Sequence, residues 1–117
     1  MDIPNFKDIV NSRFEKCSTL MLGPKDVEYS RGGDKLYNFK RAAMFGKTTP
    51  EKALLGMWIK HLVSIIDIAQ EIDDESPLPS PELISEKISD NINYLFLLEG
   101  LIEERRILKS IKEGGVF

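Results

Sequence analysis

Lys60, His61 and Asp67 interrupt an apolar run over 54–69, and Glu86, Asp90 and Asn93 interrupt a second over 82–98. In both runs the apolar residues recur at intervals of three and four, the period of a helix face buried in a core. A charge inside such a run is costly unless it is paired or used. Lys60, Ser64, Asp67 and Glu71 follow helical spacing and share one strip, and Glu86, Asp90 and Asn93 share another. If the two helices are antiparallel, the strips could face one another. Asp67, Glu86 and Asp90 would then form a carboxylate cluster for magnesium, which takes oxygen ligands and commonly combines one or two carboxylates with substrate phosphates. The plain alternative is a solvated helix face, a common fate for charge strips.

A second group lies earlier: Glu28, Tyr29, Ser30, Arg31 and Asp34, followed by Tyr37, Asn38, Phe39, Lys40 and Arg41. Rings stack on a base, amides read its edge and cations meet phosphates, so this mixture suits a base-and-phosphate ligand. The alternative pins Tyr29, Tyr37 and Phe39 to the core, and for Phe39 that reading is preferred. A lone histidine such as His61 is more often structural than catalytic, and Trp58 reads most simply as core. Ser30 has no adjacent base, and the chain carries neither a nucleophile-and-base motif nor a glycine–lysine phosphate loop.

Four helices must position these residues. The first is expected over about 5–22, with Phe6, Ile9, Val10, Phe14, Cys17, Leu20 and Met21 on its apolar face. Gly23-Pro24 ends it, with glycine suited to a left-handed cap. A polar loop over 25–35 leads to a short helix over about 36–45, closed by Gly46. Thr49-Pro50-Glu51 starts the third helix with a cap, a proline at the first position and an acid for the dipole, and it runs to about Glu71. Its core stripe is Leu55, Trp58, Leu62, Ile65, Ile66 and Ala69. An acidic, proline-bearing connector over 72–80 precedes the same start signal, Ser80-Pro81-Glu82. The fourth helix runs to about Lys112 with a stripe of Ile84, Ile88, Ile92, Leu95 and Leu98, and residues 113–117 read as a frayed tail. A short connector between long helices makes them antiparallel neighbours. The expected fold is all-α, a small helical bundle in a single domain spanning 1–117.

Composition narrows the function. A net charge of -3 gives no general attraction to DNA or RNA, so nucleic acid is not an expected partner. One cysteine and one histidine cannot build a zinc site or an intrachain disulfide, and a reducing cytosol fits. The acidic start is unlike a secretory signal, and no uninterrupted apolar segment is long enough to span a bilayer. The expected setting is therefore cytoplasmic, without a membrane partner. The fourth helix carries Leu95, Phe96, Leu97, Leu98, Leu101 and Ile102 on more than one side, which predicts a homo-oligomer.

Taken in order, several blocks resemble a family of small phage-encoded proteins, the nucleotide-modification-associated domains. The blocks are Glu28-Tyr29-Ser30, Asn38-Phe39-Lys40-Arg41-Ala42-Ala43, Thr49-Pro50-Glu51, Lys60-His61 and Asp90-Asn91-Ile92-Asn93-Tyr94. More distantly the chain is similar to all-α nucleotide pyrophosphohydrolases of the MazG-like type, which hold magnesium with acidic pairs on two helices. Glu86 and Asp90 can stand for one pair, spaced by four rather than three. On the third helix the second pair is replaced by Lys60-His61 and a single Asp67. That exchange removes metal ligands and adds positive charge, which suits direct contact with phosphate.

The resemblance therefore implies a phage-type protein of the host cytosol that binds a nucleotide or nucleotide-derived signal; by analogy with other small phage proteins, its role would be to sequester a host immune signal. Lys40, Arg41, Lys60 and His61 would meet phosphates. Tyr29, Asn38, Asn93 and Tyr94 would recognise base or ribose, and Asp90 would orient Lys60 or a ribose hydroxyl. No cofactor is needed for binding. The enzyme alternative is a magnesium-dependent pyrophosphohydrolase using Asp67, Glu86 and Asp90; a third reading is a protein-binding inhibitor of a host enzyme.

Overall fold

Three helices start on a side-chain oxygen and carry a proline at the first or second helical position. In the computed structural model, which describes residues 1–23 and 33–114, Asp2 accepts from the Asn5 amide, Thr49 from Lys52 and Ser80 from Leu83. Each bond satisfies a donor that the helix itself leaves open. The helices are α1 (Ile3–Leu22), α2 (Tyr37–Gly46), α3 (Pro50–Glu71) and α4 (Pro81–Lys112), and no strand occurs among the described residues. The protein is thus an all-α bundle, as its patterning predicts.

The ends differ from expectation in two places. Gly23 is extended rather than left-handed, at φ -78° and ψ 173°. Its value lies in close approach, since a Cβ there would sit 2.3 Å from the Thr19 carbonyl oxygen. After α2 it is Lys47, not Gly46, that takes the left-handed conformation, at φ 50°. Its amide closes the helix onto Ala43 and Met44.

The long helices α3 and α4 are antiparallel. Glu51 meets Arg105, Trp58 stacks on Tyr94 and His61 meets Asp90, so the paired positions descend on α4 as they ascend on α3. Helix α1 instead runs parallel to α4. Arg13 bonds Ser85 and Ser89, while Met21 and Leu22 line a cavity with Phe96 and Gly100. The short α2 crosses the far end, where Leu36, Phe39, Leu54 and Leu101 form the buried core and Trp58, Tyr94, Leu97 and Leu98 pack against it. Phe39 is core, as preferred from sequence.

The two apolar stripes are where sequence and structure part. Leu54, at 1% exposure, is the buried residue of α3, while Leu55 and Ile66 stand 46% and 53% exposed. On α4 the buried positions are Ser89 and Leu101, and Ile88 and Leu95 are 37% and 51% exposed. Each apolar arc is wider than a single partner helix can cover. The helices meet through one edge of the arc and leave the rest uncovered.

Candidate functional site

His61 and Asp90 face each other across the α3–α4 contact. Helical spacing places His61 one turn beyond Trp58 on α3, and Tyr94 one turn beyond Asp90 on α4. The antiparallel register brings all four together. His61 Nδ1 lies 3.5 Å from Asp90 Oδ2, and both side chains are only partly exposed. The imidazole tilts against the Tyr94 ring at 5.2 Å between centroids, and Tyr94 in turn stacks on Trp58 at 6.0 Å. Burial, with the Asp90 charge adding to it, pushes the Tyr94 phenol up from its ordinary pKa. The result is a half-buried histidine, carboxylate and neutral phenol at one edge of the helix pair.

Asn91 holds this register, although it stood only as part of a sequence block and not as a site residue. Its Oδ1 accepts from Trp58 Nε1 at 2.9 Å, and its Nδ2 donates to the carbonyl oxygens of His61 at 3.2 Å and Lys87 at 2.8 Å. The available signal was Trp58 itself, since a buried indole N–H needs an acceptor. Arg13 was also missed. Its guanidinium donates to the hydroxyls of Ser85 at 2.7 Å and Ser89 at 2.8 Å, tying α1 to the most buried polar residue of α4.

The other expected residues do not converge on His61. Lys60 is exposed and turned by about 100° from His61, so it does not meet Asp90. Its strip, with Asp67 and Glu71, looks outward to solvent rather than toward α4. Glu86 is exposed as well, and among the described residues no group of three or more metal-ligating side chains comes together. Asn93 lies one turn beyond Ser89, on the strip of α4 that meets α1. Its Oδ1 is buried with no hydrogen-bond partner. The strips diverge because α3 and α4 meet through Leu54, Trp58 and His61, not through the face that carries Lys60.

The α2 residues form a separate group. Lys40 is held by Asp34 at 2.8 Å and Glu104 at 2.5 Å, and Asp34 also accepts from the Leu36 amide. These bonds, the Asp34 contact foremost, raise the Lys40 pKa. The Lys40 ammonium correspondingly holds the Asp34 carboxyl below its ordinary value. Arg41 lies over the Phe45 ring at 5.3 Å, and Asn38 is exposed. Tyr29 lies outside the described residues.

A cavity of about 580 Å³ between α1 and α4 is lined by Phe14, Met21, Leu36, Phe96 and Leu97 and is almost wholly apolar. A second, of about 660 Å³, lies between the start of α3 and the end of α4, where Glu51 and Arg105 make a two-pronged ion pair. Neither includes His61 or Asp90. Comparisons with family models, curated proteins and solved structures gave no match.

Proposed function

We propose that the protein binds a nucleotide or nucleotide-derived anion at the edge formed by His61, Asp90 and Tyr94, and holds it without cleaving it. The supporting observation is the presentation of His61. Its Nδ1 faces Asp90, and among the described residues Nε2 has no hydrogen-bond partner. With both ring nitrogens protonated, His61 would point Nδ1–H at Asp90 and donate Nε2–H to a phosphate oxygen, while the second Asp90 oxygen would accept from a ribose hydroxyl. In the phage setting that the resemblance implies, such binding would sequester a host signal in the host cytosol. Magnesium-dependent cleavage is less well supported, because Asp67 and Glu86 point to solvent instead of joining Asp90.

The test is recovery of ligand. Wild type and His61→Ala are incubated with a panel of nucleotides and cyclic or linear nucleotide signals, washed, denatured and analysed. Wild type should release one panel member intact. His61→Ala should release none while keeping its helical content and thermal transition, and Lys60→Ala should bind as wild type does. Retention of no panel member by wild type, or release of a cleaved product, refutes the proposal.

A further inference from the structure

The uncovered parts of α3 and α4 form one surface. On α3, Leu55, Ile59, Val63 and Ile66 recur at four, four and three, and stand 46%, 49%, 47% and 53% exposed. On α4, Ile88, Leu95 and Ile102 recur at seven and are 37%, 51% and 42% exposed. His61 and Asp90 mark one edge of the α3–α4 contact, with Trp58 and Asn91 at its middle. Continuing round both helices from His61 through Trp58, and from Asp90 through Asn91, leads to these two stripes on the opposite edge. They therefore lie side by side, on the side away from the proposed ligand site.

The chain exposes far more surface than a compact protein of its size. Its accessible area is 9116 Å², against about 6,500 Å² for a monomer of this mass. Its radius of gyration is 17.7 Å, against about 13 Å for a compact fold of this length. The excess is shared with α1, where Phe6 and Phe14 are also exposed, and it is well above the ~800 Å² that each partner contributes to a standard stable interface.

Gly56 borders the same face. It sits inside α3, where glycine weakens a helix, and a Cβ there would meet nothing within 4 Å. No contact among the described residues accounts for it. Gly56 falls one turn before Lys60, beside Ile59 and Val63, where a missing side chain lets a second helix approach closely.

We infer that this face is covered by a second copy of the same chain, α3 and α4 packing on their counterparts about a twofold axis. The rim charges fit a second copy. Lys60 and Asp67 share the outer edge of α3, so two antiparallel copies crossing near Val63 set Lys60 of each against the partner's Asp67. The assembly is independent of the ligand proposal and uses the opposite edge of the helix pair.

The experiment is sedimentation equilibrium of the full chain from 1 to 100 µM, with circular dichroism beside it. Wild type should sediment at an even multiple of the chain mass. Ile59→Glu should keep its helix signal and weaken association at least ~100-fold, since each dimer carries the change twice. Met44→Glu, at an exposed apolar site on α2 away from this face, should associate as wild type does. If Ile59→Glu loses helix as well as association, Gly56→Ala decides: it should weaken association if a second copy packs there, and raise the melting temperature without doing so if the site faces water. A wild-type monomer at 100 µM overturns the inference. So does equal association of Ile59→Glu and Met44→Glu, or binding of phosphatidylcholine–phosphatidylglycerol vesicles through this face by a chain that stays monomeric.

Discussion

Replacing Asn91 by alanine should loosen the α3–α4 register. Three hydrogen bonds end on this one side chain, but they are not equal. The Lys87 carbonyl lies on the same helix, one turn back, where it already serves the helix ladder, so losing that bond costs little. The His61 carbonyl is likewise an internal helix acceptor. The Trp58 N–H has no second acceptor among the described residues, and it is left partly buried without a partner. At about 0.5–1.5 kcal/mol for each of the two interhelical bonds, with the orphaned indole toward the upper end, the loss is about 2 kcal/mol. For a chain of this length that corresponds to roughly 6–12 °C in melting temperature.

Circular dichroism melts at fixed protein concentration measure the loss. Trp58 is the chain's single tryptophan, so its fluorescence reports the same bond. A double-mutant cycle with Trp58→Phe isolates the pair, because phenylalanine keeps a ring while deleting the N–H. The cycle should return a coupling of about 1 kcal/mol. A melt within 2 °C of wild type with unchanged Trp58 emission would refute this account of how α3 is registered on α4.

The Asp34–Lys40–Glu104 group should show in the acid limb of stability. Asp34 is held below its ordinary carboxyl value when folded, so its contribution is present above the unfolded pKa of 3.8 and is lost as pH falls below it. Asp34→Asn should therefore flatten the stability profile below about pH 4, and an unchanged dependence of unfolding free energy on pH, measured by urea titrations at each pH, contradicts the assignment. Asn93→Leu should be neutral or slightly stabilising, because it removes a buried oxygen that has no partner; a melting temperature more than 5 °C below wild type would show that Asn93 is bonded after all.

The helices were legible in the sequence because their starts are written locally. Thr49-Pro50-Glu51 and Ser80-Pro81-Glu82 specify caps that form within one turn, and the short connector between the two helices favours their antiparallel return. The buried faces were not legible to the residue. A period of three and four fixes which side of a helix is apolar, but not which part of a broad apolar arc a neighbour covers. Leu54 is buried and Leu55 exposed for that reason alone. The parallel docking of α1 depends on Arg13 finding Ser85 and Ser89, more than seventy positions away, which no local pattern encodes.

The candidate site was half legible. His61, Asp90 and Tyr94 stand out because charge and aromatic rings share an apolar run, and the structure brings them together. Lys60 shared that logic, yet one residue along a helix is a turn of about 100°, enough to turn it away from α4 into solvent. Lys40 drew attention as a cation beside aromatics, and its partners, Asp34 and Glu104, come from the preceding loop and the far end of α4.

His61 is the chain's single histidine, which gives the ligand claim a direct measurement. The protein, labelled with ¹⁵N at histidine, is titrated with each member of the nucleotide panel while both imidazole nitrogens are followed by NMR. Binding at the proposed site predicts that one panel member shifts the Nε2 resonance saturably, while Nδ1 keeps the signature of its contact with Asp90. Imidazole resonances that stay unmoved by every member, or by a ligand shown to be retained, contradict the account.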